Sequence, residues 1–365
     1  MASKAALKLA SAATATPLSL GTSFDKIEAE MVVWLWYPHI PRGKITILES
    51  DPGNSKSVFT VDLAARISSG SPMPDGTPCK QGTVIMLNAE DGAGDTVKPR
   101  LMAAGADCTR VVNFTTIDTG KGERQVRLPE DIAHLRSLAE EHEPALIVID
   151  PLWAFVGSKH RSISDQEMRE ALTPLKELAE ELDVAIIIIR HLNKNSKEVN
   201  PMYRGAGSIG ITGLARNVLT TIQDKLNLSR YYLARVKANL APSSAPLCYD
   251  LVSVAVKTPN GVTNVPKLEW LGTVNASLFE LMAQDTGLTH RQQQVYDVLP
   301  ETGGSTRKQV ADALDISPTG ANNLLKALID KGAAKQTDPG KYVRITRRGF
   351  KIEPFLSSPF GGSSA

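Results

Sequence analysis

The chain has 365 residues, 42% of them hydrophobic and 22% charged, with a formal net charge of +2. That length provides for a large core plus an appendage. No apolar run approaches the ~18 residues that span a bilayer, which excludes a transmembrane class. The three cysteines, Cys79, Cys108 and Cys248, are scattered and form no CxxC pair. They exclude a disulfide framework or a zinc cluster and fit a reducing, cytoplasmic location.

In chain order, residues 1–22 are acid-free and rich in Ala, Ser, Thr and Lys. They are too polar and broken for a secretory leader and are expected to be a disordered tail. From Ile40 to Cys248, apolar strands alternate with amphipathic helices. Strands are predicted at Lys44–Ser50, Thr83–Glu90, Ala145–Asp150 and Val184–Arg190, and helices at Ser55–Gly70, Thr96–Ala104, Leu128–His142 and Ser164–Leu182. Pro174 is expected to kink the last of these. Uninterrupted apolar strands separated by helices predict an α/β fold with a mainly parallel sheet covered on both faces. After Arg216 the pattern changes to strand-like runs joined by hairpins. Residues 23–257 are read as one domain and the Pro/Gly-rich stretch within 258–286 as a linker. Residues 287–350 are read as a small helical domain and 351–365 as a second tail.

Between the first strand and helix lies ESDPGNSKS, Glu49–Ser57. A loop in that context presents backbone N–H groups to phosphate oxygens, and the helix N-terminus adds positive potential. The binding loop is assigned to Ser50, Asp51, Pro52, Gly53, Asn54, Ser55, Lys56, Ser57 and Val58. Lys56 would reach the β- and γ-phosphates, and Ser57 would ligate magnesium. The fit to GxxxxGK[ST] is imperfect, because Ser50 and Ser55 stand at the two glycine positions. A Cβ there is expected to strain the loop. Asp150, at the carboxyl end of an apolar strand, has the form of a Walker B acid that holds magnesium.

With these motifs assembled, the chain resembles the RecA-like AAA-family P-loop ATPases of the hexameric plasmid-replication helicase type. The segment VVWLWYPHIPRGKITILESDPGNSKS carries the resemblance, with LNAED (Leu87–Asp91), RHLNK (Arg190–Lys194) and RGAGSIGITGLAR (Arg204–Arg216). It implies a RecA-like core, ATP and Mg2+ as cofactors, and a homo-hexamer with single-stranded DNA in its ring. It also implies that Glu90 polarises the attacking water, with Asp91 able to substitute, and that His191 senses the γ-phosphate. Arg204, Arg216 or Lys237 would act on a neighbour's nucleotide.

The last expected domain reads as a winged helix-turn-helix. Helices near His290–Leu299, Thr306–Leu314 and Ser317–Gly332 precede a wing with a DPG turn. Ala321, Leu324, Leu325, Leu328 and Ile329 form the core face of the third helix. Asn322, Asn323 and Lys326, with Arg344 in the wing, are the candidates for duplex DNA. Residues 287–350 hold ten Lys/Arg against six Asp/Glu, a net of +4, a modest basic footprint. Together these features predict a DNA-associated ATPase. The alternative from the same residues is a DNA-binding regulator or scaffold whose nucleotide site is impaired by Ser50 and Ser55.

Overall fold

The computed structural model describes residues 21–156, 165–192, 209–282, 288–345 and 350–355. Residues 1–32 and 33–365 are separate compact units. The described part of the first holds one 3-10 turn, Phe24–Lys26.

The core of the second unit is built on β1 (Ile45–Ser50), α1 (Lys56–Ser69), β2 (Thr83–Asn88), α2 (Lys98–Ala104) and β3 (Val111–Asn113). It continues with α3 (Ile132–His142), β4 (Pro144–Asp150), α4 (Asp165–Glu181), β5 (Ala185–His191), α5 (Ile209–Leu214) and β6 (Asn217–Gln223). Then come three long antiparallel strands, β7 (Arg230–Ala238), β8 (Leu247–Thr258) and β9 (Gly261–Val274). The small C-terminal part comprises α6 (His290–Val298), β10 (Ser305–Thr306), α7 (Arg307–Leu314), α8 (Pro318–Asp330), β11 (Ala334–Asp338) and β12 (Lys341–Arg344), and the chain returns as β13 (Ile352–Glu353).

One ten-stranded sheet runs in the order β13-β9-β8-β7-β6-β1-β5-β4-β2-β3. From β6 to β3 every pairing is parallel; from β6 to β13 every pairing is antiparallel. The fold is therefore mixed α/β with a large, mostly parallel sheet. Alternate strand residues point to opposite faces, and both faces are apolar. Leu48, Met86, Val148 and Ile187 pack with α1 and α2 on one side. Ile47, Ile85, Ile147 and Ile186 pack with α3 and α4 on the other. Such double burial explains why these strands read as continuous apolar runs. Pro174 lies inside α4, which continues through it.

Thr258 and Gly261–Val274 of the stretch read as a linker instead belong to strands. β8 and β9 pair from Leu247↔Thr273 to Thr258↔Gly261, extending the main sheet. The following tail is also partly structured, because Thr273 and Val274 pair with Glu353 and Ile352. Gly272 permits this return: a Cβ there would meet the Glu353 carbonyl oxygen at 2.1 Å.

In the C-terminal part, α6, α7 and α8 enclose a core of Val295, Tyr296, Val310, Ala321, Leu325 and Leu328. The three short strands form a sheet in the order β10-β12-β11. Capping boxes at Thr289/Gln292 and Thr306/Gln309 start α6 and α7, and the Ser317 side chain caps α8. Ile329, expected in the core, is 37% exposed; it lies one position past Leu328, off the buried stripe. Among the described residues, no helix is long and apolar enough to cross a membrane.

Candidate nucleotide site

The parallel register brings the carboxyl ends of β1, β2, β4 and β5 to one edge of the sheet. Ser50 stands beside His191 and Asn88 beside Asp150. One strand, β5, separates the phosphate-loop strand from the Walker B strand. Such an edge is where open α/β sheets bind ligands.

The loop is folded around its lysine. The Lys56 ammonium donates to the Ser50 carbonyl at 3.2 Å, to Ser50 Oγ at 3.1 Å and to the Asp51 carbonyl at 3.0 Å. Burial holds its pKa below the ordinary lysine value, against the opposing pull of Asp150, Glu90 and Asp51. Gly53 has φ +84° with open space around it, while Pro52 is exposed and Val58 is buried in α1. The strain expected at both serines is present at one. Ser50 is absent from the positive-φ positions, whereas Ser55 has φ +56°. Ser50 thus needs no glycine, and its hydroxyl serves Lys56. The Ser55 hydroxyl meets the Tyr249 hydroxyl at 2.7 Å, and the Thr221 hydroxyl donates to the Asn54 carbonyl at 2.5 Å.

Asp150 is buried, with the Ser57 side chain beside it. Burial pushes its pKa up to about 6; Ser57 and Lys56 oppose this, and Glu90 and Asp91 add to it. A carboxylate held beside a hydroxyl, with two more acids near, fits a cation that also takes phosphate oxygens. Among the described residues no cluster of three His, Cys, Asp or Glu could hold a metal by protein ligands alone.

The folded pKa of Asp150 lies above the ordinary aspartate value of 3.8. The folded state therefore keeps the proton longer, and stability falls as pH rises from about 4 to 6. The cost is fully present above that window. Asp150→Asn removes it. At pH 8 the nucleotide-free variant is expected to be more stable than wild type by on the order of 1–3 kcal/mol, with the gain shrinking as pH falls through 6. Urea denaturation at pH 8 and pH 5 checks this; equal gains at both would contradict it.

Glu90 follows β2 on a turn fixed by Asn88, whose side chain accepts the amides of Glu90 and Asp91 at 3.2 and 3.0 Å. Glu90 remains half-exposed and faces His191, with 3.3 Å between Oε1 and Nε2. The His191 Nδ1 is buried with no partner among the described residues. Asp91, read as a substitute for Glu90, pairs with Arg100 at 2.6 Å and is committed there. Directly before Ser50 and His191 lie Glu49 and Arg190, an ion pair buried on both sides. Arg190 donates to Glu49 Oε2 from Nε at 2.7 Å and from its Nη2 at 2.5 Å, and to Thr212 Oγ1 of α5 at 2.9 Å.

Two of the residues read as acting in trans, Arg216 and Lys237, lie elsewhere. Arg216 is exposed at the amino end of β6, at the opposite edge from the loop. Lys237 donates to the carbonyls of Thr212 and Ala215 at 2.8 and 2.9 Å, so its ammonium holds the end of α5. Arg204 and Lys194 lie outside the described residues. In the C-terminal part, Asn323 and Lys326 are exposed on α8 and Asn322 is half-buried. Arg344 is engaged within the chain, paired with Glu301 at 3.0 Å and lying 5.9 Å from the Tyr296 ring centroid.

Asn88, Thr221 and Tyr249 were not singled out in the sequence. Asn88 stood within LNAED; the two hydroxyl residues carry no local motif.

No curated protein matches the chain in sequence. Among solved structures, a KaiC-like protein from the hyperthermophilic archaeon Pyrococcus horikoshii is 17% identical, with a TM-score of 0.41, covering 62% of this chain and 91% of that one. A second solved structure, itself described as an ATPase domain, is 13% identical, with a TM-score of 0.43, covering 58% and 82%. The sequence pattern of the AAA domain matches residues 12–197, just over half of the chain and the stretch that holds the phosphate loop, Glu90, Asp150 and His191. The chain belongs to the AAA domain family of P-loop ATPases.

Proposed function

We propose that this ATPase is a DNA-dependent motor of the replicative helicase type, with a RecA-like core that works in a ring of like subunits and a winged helix that engages duplex DNA. The observation that carries the catalytic part is the convergence of Lys56, Ser57, Asp150, Glu90 and His191 at one sheet edge. Lys56 and the loop amides would bind the β- and γ-phosphates of ATP. Ser57 and Asp150 would hold magnesium, which when bound neutralises charge on the β- and γ-phosphate oxygens. Glu90 would orient a water and take its proton, while His191, touching Glu90, would report the state of the γ-phosphate to the chain that follows β5. Arg216 faces away from its own loop, as a residue serving a neighbour would. Arg204 remains the other trans candidate. Hydrolysis that rises on adding single-stranded DNA would support the motor; hydrolysis indifferent to single-stranded DNA would sink it.

For the duplex contact, Asn322, Asn323 and Lys326 on the outer face of α8 are the groove-reading candidates, with Arg344 retained only as a contact that must first leave Glu301. A Lys–phosphate contact releases a counterion. Lys326→Ala is therefore expected to weaken duplex binding and to reduce the salt slope by about one. Anisotropy titrations from low to moderate salt check it; an unchanged slope would remove Lys326 from the interface.

A further inference from the structure

Ser55 is out of character for a serine that precedes a helix. At that position serine ordinarily takes extended angles and caps the first-turn amides with its oxygen. Here φ is 56° and ψ 10°, and the side chain caps nothing. Left-handed angles disfavour any residue with a Cβ, so something must hold Ser55 there. Its hydroxyl lies 2.7 Å from that of Tyr249, 194 positions along the chain. Tyr249 is fully buried. Its ring stacks on Tyr231 at 5.8 Å and tilts against Trp270 at 5.0 Å, and Trp270 donates to Asp62 of α1 at 2.9 Å. The hydroxyl is therefore presented from a fixed ring. Asn54, the preceding loop residue, is held through its carbonyl by Thr221.

We propose that Ser55 and Tyr249 form a hydroxyl clamp that fixes the phosphate loop in its nucleotide-receiving shape, replacing the glycine this position would otherwise need; the proposal rests on the nucleotide reading of the loop. The clamp acts in two ways. It sets the left-handed turn before ligand arrives, so less order must be gained on binding. It also draws the serine oxygen away from the first-turn amides, which leaves them to phosphate oxygens. Tyr249 is a positioning residue: it acts through Ser55.

The test uses the full chain with Mg2+ and a fluorescent ATP analogue, in wild type, Tyr249→Phe, Ser55→Gly and the double variant, with Lys56→Ala as the blank. Tyr249→Phe keeps the ring and its packing but releases the serine. Affinity is expected to fall about three- to tenfold, the worth of one hydrogen bond. Adding Ser55→Gly, which tolerates the turn without a clamp, is expected to restore affinity to within about twofold. Wild-type affinity in Tyr249→Phe, or a loss that Ser55→Gly does not repair, would overturn the clamp. Urea midpoints of the same four proteins without nucleotide test the pair independently. Recovery in the double variant of what either single loses supports it, and additive losses overturn it. Wild-type binding no tighter than Lys56→Ala would remove the nucleotide reading, whatever the urea cycle says of the clamp.

Discussion

Glu90→Gln is expected to lower MgATP turnover by roughly 10²–10⁴-fold, the range for loss of a positioned general base, while ATP affinity stays within about threefold. The turn after β2 is fixed by the Asn88 side chain, and Asp91 is held by Arg100. The substitution therefore keeps the backbone and the neighbouring acid in place. Glutamine matches glutamate in size and can still hydrogen-bond His191, but it cannot accept a proton from water. Single-turnover hydrolysis and equilibrium binding on the same preparation separate the two effects. Turnover within tenfold of wild type would exclude Glu90 as the base. Parallel loss of binding would point to a phosphate-contacting role instead.

Arg190→Met is expected to destabilise the chain by about 3–5 kcal/mol, the cost of stranding a buried partner charge. Glu49 and Arg190 are each 1% exposed, and they link β1, β5 and α5 immediately beneath the loop and His191. Paired replacement, Glu49→Leu with Arg190→Met, removes both charges and is expected to recover most of that loss. Urea unfolding of the two single variants and the double variant measures the coupling. Additive losses would mean that the charges act separately.

The parts of the fold legible in sequence are those whose signal is local. β4 and β5 are buried on both faces and so appear as unbroken apolar runs. The loop and Asp150 are recognisable from residues that lie together in the chain. What escaped depends on distance or on partial burial. β8 and β9 are buried mainly at their inner ends and are partly exposed farther out. Their residues therefore mix apolar with polar, and Pro259, Asn260 and Gly261, which turn the hairpin, read as linker chemistry. The asparagine–glycine pair was a hairpin signal outweighed by that composition. The serines at glycine positions read as defects, because a motif records residue types and not the contacts that accommodate them. Ser50 is satisfied by Lys56, six residues on, and Ser55 by a tyrosine on the antiparallel extension. Arg344 looked like a free basic residue of the wing, although Glu301 and Tyr296 hold it.

Nucleotide binding at this loop is tested most directly by equilibrium binding of ATP in the presence of Mg2+, wild type against Lys56→Ala, by calorimetry. Lys56 sits 5% exposed inside the loop and among the described residues donates to Ser50 and Asp51, contacts that phosphate oxygens can replace. Wild type is expected to bind saturably at one site, and the variant to lose at least a hundredfold in affinity, about 2.7 kcal/mol of binding free energy. Equal affinity in the two proteins, or no heat of binding in either, would contradict it.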